Sequence, residues 1–331
     1  MPPCTSVSDF GEFCEGGGPF TDEESVMLQD WLQAGAPEGS PSQPAKTPEL
    51  DAWRLGKPDA ILQPISSIDI PEEGAPFWKA FAVPLGRYEG RRLRAFDIQV
   101  SQPKIVRSVT VAVAREGLMG TRRAMDGWQT GGSLEYEAHK FVGGWAPGYP
   151  AWQLPQDVAM TMDGPALVVQ LLYLPLGRPS KGDFKIGLYF SKNERDLEPQ
   201  WLHMNVEEFA VPAPGNLVLT PEGTLPPKSR LIAVLPEARY FCTAIHLSDG
   251  RRNLFTTRKW DPYWQGPYRY HEPVEFPDGA KLAAFFDYDN DIHMGHNEGK
   301  RPRPILAGPR ERDELCRMHV LYVTKSKQPS P

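Results

Sequence analysis

Proline and glycine recur along nearly the whole chain, at 35 and 30 of its 331 residues. Proline lacks a backbone N–H and has a fixed φ, so it is poorly tolerated inside helices and central strands but suits turns and edge strands. Between these residues lie short runs rich in β-branched and aromatic side chains, such as Arg92–Val100 and Ala166–Tyr173. The pattern predicts an all-β chain with many turns.

The predicted strands fall into two successive groups, with no convincing helix between them. The first group is Phe77–Val83, Arg92–Val100, Ile105–Ala114, Ala166–Tyr173 and Lys185–Phe190. The second is Glu207–Val211, Arg230–Leu235, Phe241–Leu247, Asn253–Lys259, Lys281–Tyr288 and Cys316–Val323. This favours two tandem antiparallel β-sandwiches of the jelly-roll type. We expect them to span residues 48–205 and 206–325, with a flexible tail at 326–331.

One amphipathic helix is predicted before the strands. Thr21 and Glu24 have the spacing of a capping box, and Gly35 is placed to end the helix. Its apolar positions are Val26, Met27, Trp31 and Leu32. A Pro-, Ser- and Gly-rich linker follows up to residue 47.

Charge and hydropathy exclude two classes of partner contact. The formal net charge is −6, and no basic run is longer than residues 300–303, so the sequence gives no electrostatic support for nucleic-acid binding. The longest largely apolar stretch, Ala166–Leu176, is too short to cross a bilayer. The first residues also lack the basic start and apolar core of a signal peptide.

The cysteines are Cys4, Cys14, Cys242 and Cys316. In an oxidising compartment the pairs Cys4–Cys14 and Cys242–Cys316 are candidate disulfides. Four unpaired thiols, two of them buried, fit the sequence equally well.

Two aromatic-rich segments are candidates for an interaction surface with a protein or a sugar. Core packing is the alternative that we favour for them. The aromatic residues concerned are Trp145, Trp152, Trp260, Tyr263, Trp264 and Tyr268.

Several strings occur in the order seen in one known family. These are GGWAPG at 143–148, WDPYWQGPYRYHEPVEFPDG at 260–279, DYDN at 287–290 and DELC at 313–316. Together they resemble the bacterial relatives of peptidylglycine α-hydroxylating copper monooxygenases, which are often fused behind a c-type cytochrome domain. Residues 1–47 resemble the end of such a cytochrome domain. The haem-attaching half has no counterpart in this sequence, so we expect no haem.

The resemblance implies two copper sites, one in each domain, built from histidines and one methionine. None of the six matching positions in this sequence carries such a ligand. They are Arg107, Ser108, Leu172, Glu237, Arg239 and Leu315. Arginine is permanently charged and leucine offers only methyl groups, so neither coordinates a metal. We therefore predict no copper, no other cofactor and no monooxygenase activity.

The replacements also suggest a structural role. Glu237 and Arg239 are two residues apart on a predicted strand and so point to the same face. They are candidates for an ion-pair network with Arg107 where the metals lie in the family. Exposure of each side chain along an open groove is the alternative, and the sequence slightly favours it.

The resulting prediction is a non-catalytic binding protein, an accessory subunit of a membrane electron-transfer complex such as a photosynthetic reaction centre or a cytochrome complex. The resemblance implies a periplasmic or extracytoplasmic location. Two alternatives stay open: a copper monooxygenase with displaced ligands, for which His293 and His296 are the candidate donors, and a soluble sugar- or peptide-binding module that uses the aromatic residues.

Overall fold

The computed structural model describes residues 6–11, 13–14, 22–38, 53–121, 126–132, 134, 138–263, 266–293, 295–297, 301–310 and 312–325. Within these ranges the chain consists of antiparallel strands, one α-helix and three short 3-10 turns. The all-β prediction is therefore confirmed. The predicted linker at 39–47 and the tail at 326–331 lie outside the described residues.

The first strand group forms two five-stranded sheets and one two-stranded sheet. Its strands are β1 (Ala60–Leu62), β2 (Ile68–Ile70), β3 (Phe77–Pro84), β4 (Arg92–Val100), β5 (Val106–Ala114), β6 (Trp128–Thr130), β7 (Ala138–Trp145), β8 (Trp152–Gln153), β9 (Met160–Thr161), β10 (Ala166–Tyr173), β11 (Ser180–Gly182) and β12 (Phe184–Phe190). One large sheet has the order β6-β3-β10-β5-β7. The other has the order β1-β12-β4-β8, with β9 also on β4, and β11 pairs with β2.

The second strand group also forms two larger sheets and one two-stranded sheet, but its strands are connected in a different order. Its strands are β13 (Gln200–Asn205), β14 (Ala210–Val211), β15 (Asn216–Leu219), β16 (Glu222–Leu225), β17 (Ser229–Glu237), β18 (Cys242–Ser248), β19 (Asn253–Thr257), β20 (Tyr268–Phe276), β21 (Ala280–Asp289), β22 (Ile305–Leu306) and β23 (Arg317–Thr324). Its sheets have the orders β13-β23-β17-β20 and β15-β21-β18-β19, with β16 also on β21, and β14 pairs with β22. Strand β13 pairs with β23, so Gln200–Asn205 belongs to a sheet of the second group.

Strand β10 is the centre of the first group, and all eight of its residues are buried. Leu167, Val169 and Leu171 point into the main core, to which both large sheets contribute. Val168 points to the opposite face, where Trp128 and several alanines form a smaller cluster. Burial on both faces explains why this strand is a continuous apolar run without the alternation of a half-exposed strand.

The core of the second group takes one contribution from the start of the chain. Phe13 is 3% exposed and its ring lies 5.2 Å from Tyr270 and 5.5 Å from Tyr268, measured between centroids. Val7 also forms a β-bridge with Thr256. Residues 6–11 and 13–14 therefore contact the second strand group through Val7 and Phe13, a contact that the sequence pattern does not reveal.

The two strand groups share an apolar boundary. Ile232 and Leu321 of the second group belong to the core of the first. The backbone of Gly144, in the string at 143–148, lies close to the ring of Pro267, in the string at 260–279. A methyl group added at Gly144 would lie 2.8 Å from Cδ of Pro267. The strings at 143–148 and 260–279 thus meet at the contact between the halves.

Helix α1 (Asp22–Gln33) confirms the predicted helix, and Gly35 has the positive φ of +82° expected of a residue that ends a helix. Thr21, the predicted cap, lies outside the described residues. The apolar stripe of the helix is exposed: Val26 is 55%, Met27 70% and Leu32 57% accessible. This face is uncovered by the described part of the chain.

We predict that Gly143→Ala destabilises the protein by about 2 kcal/mol, measured by urea unfolding. The added methyl would lie 2.6 Å from Cε2 of the Trp152 indole, which is buried and cannot move aside. Gly295→Ala is the matched control, because its methyl meets open space. Equal stability of the two variants would contradict the packing described for this contact.

Candidate functional site

Three of the six candidate ligand positions converge on one small space. Leu172 from the first strand group and Arg239 and Leu315 from the second line a cavity of about 10 Å³, together with Trp78 and Tyr263. Such a volume is about the minimum that a single water molecule needs. Ser108 lies directly across the ladder from Leu172 and is also buried. The groove between the halves is therefore filled by packing at this point.

Arg239 is the central side chain of this closed region and is only 5% exposed. Its guanidinium donates hydrogen bonds to the carbonyl oxygens of Asp313 at 3.0 Å and Pro309 at 3.4 Å. It also donates to the carbonyl of Gly131, in the other strand group, at 2.6 Å. Arg239 thus joins the two halves with charge-assisted hydrogen bonds.

Glu314 is the carboxylate that faces this arginine, and it is 1% exposed. It accepts backbone N–H groups from Phe241 and Leu315, each at 2.9 Å, and from Arg239. Burial raises the pKa of Glu314 to about 7, even though these hydrogen bonds and the charge of Arg239 act in the opposite direction. The site therefore contains a guanidinium, a hydrogen-bonded carboxyl group and two leucines.

The candidate network of Glu237, Arg239 and Arg107 is found only in part: the charges of Glu237 and Arg239 act on each other, but no ion pair joins these two side chains. Strand β17 ends at Glu237, so the two-residue alternation does not continue to Arg239. Glu237 instead faces Arg317 at 3.8 Å and His319 Nε2 at 3.3 Å. Arg107 lies where the β5–β10 register shifts, and it forms no ion pair with any described residue.

Glu237 belongs to a chain of polar side chains on the sheet surface. Burial raises its pKa, but the hydrogen bond from His319 and the charges of His319, Arg317 and Arg239 outweigh that effect, so the pKa is lowered overall. His319 Nδ1 lies 2.7 Å from His203 Nδ1 on the neighbouring strand. Burial and the neighbouring imidazole lower the pKa of His203 to about 4, against the effect of Glu237. The His203 ring is therefore neutral near pH 7.

A larger pocket opens beside the closed region, and we call it the arginine pocket. Its volume is about 910 Å³. It is lined by Ala75, Pro76, Tyr240, Phe241, Tyr263, His296, Asn297, Arg301, Arg303, Ile305, Arg310 and Arg312. Tyr240 and Tyr263 also line the small cavity next to Leu172, so the two spaces share one aromatic wall.

The aromatic residues proposed as an interaction surface are mostly internal. Trp145, Trp152, Trp260 and Tyr268 are between 2% and 8% exposed, which agrees with core packing, the interpretation favoured for them, and not with an exposed platform. The burial of Trp145, Trp152 and Trp260 leaves little of their indole rings accessible to a partner. Tyr263 is half-buried at the wall of the arginine pocket, and Trp264 lies outside the described residues.

The candidate Cys242–Cys316 disulfide is not formed, and both residues are buried free thiols. Cys242 Sγ lies 3.5 Å from the carbonyl of Ala244, and Cys316 interacts with the Tyr288 hydroxyl. Sequence spacing alone cannot fix the sulfur directions that a disulfide needs. Cys4 lies outside the described residues, so the Cys4–Cys14 pairing stays a prediction.

The displaced-ligand alternative places its donors at His293 and His296. His293 is exposed in a turn after β21, whereas the ring of His296 lies 4.6 Å from that of Tyr240, between centroids. Within the described ranges, no three His, Cys, Asp or Glu side chains are grouped so that they could hold a metal ion. No described helix is long and apolar enough to cross a membrane.

Comparison with known proteins gives no family assignment. No family model matches the chain, and no curated protein matches it either. Among solved structures, the major capsid protein P2 of bacteriophage PM2 aligns over 82% of this chain and 99% of its own, at 10% identity and a TM-score of 0.28. The infectious bursal disease virus VP2 subviral particle aligns over 92% and 79%, at 9% identity and a TM-score of 0.24. At such TM-scores the similarities carry no argument about fold or function.

Sequence reasoning missed the importance of Glu314 and of the four arginines. Glu314 was visible as part of the DELC string, but only the fold shows that its carboxylate accepts three backbone N–H groups. The arginines occur as two short runs at 301–303 and 310–312. Their spacing has no known motif, and only the loop geometry gathers them around one pocket.

We predict that Glu314→Gln changes the pH dependence of the unfolding free energy. The folded pKa of about 7 lies above the ordinary value of 4.5, so Glu314 contributes stability at low pH that is lost as the pH rises through this window. The difference between wild type and variant should shrink by about 3 kcal/mol between pH 4.5 and 7.5. Urea unfolding at several pH values measures it.

The matched control for this experiment is Glu116→Gln, which removes an exposed carboxylate from a turn. Its profile of unfolding free energy against pH should keep the wild-type shape. If the profile of Glu314→Gln also runs parallel to that of wild type, the described environment of Glu314 is wrong.

Proposed function

We propose that this protein is a non-catalytic binding protein built on a degenerate copper-monooxygenase fold, with its two strand groups as tandem jelly rolls. The single observation that carries the proposal is the closure of the groove around Arg239. The resemblance places a ligand of each copper site at Leu172, Arg239 and Leu315, and these three side chains line one cavity of about 10 Å³.

The chemistry at this point supports loss of metal binding. A buried guanidinium with three carbonyl acceptors holds its position and its charge, and a cation brought next to it would be repelled. Leu172 and Leu315 are 2% and 4% exposed and present only methyl groups. Without a redox metal, the dioxygen chemistry of the family has no route through these residues.

A binding role is supported by two surfaces that the closed groove leaves available. One is the arginine pocket, which is large enough for a small-molecule ligand. The other is the exposed apolar stripe of α1, where Met27 is 70% accessible. Exposed apolar patches on folded proteins commonly mark contacts with other proteins.

We propose further that the protein acts outside the cytoplasm as an accessory subunit of a membrane electron-transfer complex, such as a photosynthetic reaction centre or a cytochrome complex. The basis is the resemblance of residues 1–47 to the end of a cytochrome domain. The exposed stripe of α1 lies within that segment, so a membrane-bound cytochrome is the partner that it would contact.

We expect protein purified from its native source without chelators to contain no stoichiometric copper, before or after loading with Cu²⁺, while haem from a cytochrome co-purifies with it. Elemental analysis and absorption spectra measure the two quantities. A His203→Asn variant is loaded with Cu²⁺ in parallel as a control. It lacks one ring of the His203–His319 pair and so detects copper that binds only to that pair. Stoichiometric copper in both proteins, with ascorbate-dependent dioxygen consumption, would contradict the proposal and support a copper monooxygenase with displaced ligands. Absence of any cytochrome would remove the accessory role.

A further inference from the structure

The arginine pocket differs in charge from the other large depressions of the described surface. Among the described residues, its lining contains four arginines and no carboxylate. A depression of about 980 Å³ is lined by Asp59, Asp157 and Asp196 as well as basic residues, and one of about 940 Å³ contains Asp97 and Asp183. The chain as a whole carries a formal net charge of −6. The positive charge of the arginines in this pocket is therefore opposite in sign to the net charge of the protein.

The four guanidinium groups are not used by the fold. Arg301, Arg303, Arg310 and Arg312 are all exposed, and none of them forms an ion pair with a carboxylate among the described residues. Guanidinium groups in this state repel one another across a pocket with low-dielectric walls. An anion bound between them would remove that repulsion and accept charge-assisted hydrogen bonds.

The backbone that carries these arginines is anchored by buried polar contacts. Asn290 is 0% exposed and donates from Nδ2 to the carbonyl of Arg303 at 2.9 Å. Asn297 donates to Asn290 Oδ1 at 2.9 Å, and the Arg310 N–H donates to Asp313 Oδ2 at 3.0 Å. Strand β22 is also paired with β14. The pocket is therefore a built feature, with its floor held by the second strand group.

The lining of the arginine pocket also contains aromatic rings. The rings of Tyr240 and Tyr263 lie 5.7 Å apart and are inclined at 60°, and the ring of His296 lies 4.6 Å from that of Tyr240, with both distances measured between centroids. An individual ring of this kind has an apolar face on which another ring can stack. With guanidinium groups beside it, the pocket has complementary surfaces for the two ends of one molecule.

We propose that the arginine pocket binds a small organic anion consisting of a planar ring and a phosphate, sulfonate or carboxylate group. The acidic group is held by the four arginines, and the ring lies against Tyr240, Tyr263 and His296. The volume of about 910 Å³ matches a ligand of this size. The inference rests on the proposed binding function, since it supplies the ligand class of that function.

The test is isothermal titration calorimetry with 1-naphthyl phosphate, compared with 1-naphthol and with inorganic phosphate at the same pH and low ionic strength. We expect 1-naphthyl phosphate to bind at least tenfold more tightly than either half alone. We also expect its affinity to fall with added salt, because the pocket is open to solvent. Absence of binding, or equal affinity for inorganic phosphate, overturns the proposal.

Variants localise the binding. The double variant Arg303→Gln/Arg310→Gln should weaken binding of 1-naphthyl phosphate at least tenfold, since two of four guanidinium donors are lost. The matched control, Arg195→Gln/Arg251→Gln, removes the same charge from two exposed arginines outside the pocket and should retain the wild-type affinity. Circular dichroism confirms that both fold. Equal affinities of the two double variants place the ligand elsewhere and overturn the assignment.

This experiment contains no copper and no cytochrome, so its failure is distinguishable from failure of the proposed function. If the protein binds 1-naphthyl phosphate and also holds stoichiometric copper, the proposed ligand site is supported and the proposed non-catalytic function is contradicted. If the protein lacks copper and binds no aryl phosphate, only the proposed ligand site is contradicted.

Discussion

The contact of Arg239 with Glu314 and with carbonyl groups of both halves is the interaction on which the central region depends. A buried guanidinium is costly unless its donors are satisfied, and here three backbone carbonyls accept from it. Glu314 in turn accepts three backbone N–H groups that flank the arginine and the DELC string. Removal of either partner would leave the other buried without its counterpart, so the two side chains act as one unit.

That unit decides what the groove between the halves can do. Because Arg239 reaches Gly131 in the first strand group, the groove is closed beside Leu172 and Leu315, and a space of about 10 Å³ remains. The surface just outside this closure is the arginine pocket, which shares Tyr240 and Tyr263 with it. The closed region and the arginine pocket therefore adjoin each other at these two rings.

The sequence was most informative where local pattern and burial agree. Strand β10 was predicted with its observed ends because an apolar run between turn residues has few alternative structures. Strand β20 was missed because its aromatic string contains Pro273, which is tolerated there on an edge strand beside a register shift. The aromatic residues around Trp152 were open to two interpretations, because only the fold shows which face is covered. The partners of Glu237 depend on where β17 ends, and no periodicity gives that residue.

The central claim is that the positions matching the family's copper ligands hold no metal because packed side chains occupy them. Crystals soaked in Cu²⁺ and measured with X-rays on both sides of the copper absorption edge test it directly. The account predicts no anomalous peak in the space bounded by Leu172, Arg239 and Leu315, with the Arg239 guanidinium still bonded to the carbonyl of Gly131. An anomalous peak in that space, with Arg239 turned away from Gly131, would contradict the claim.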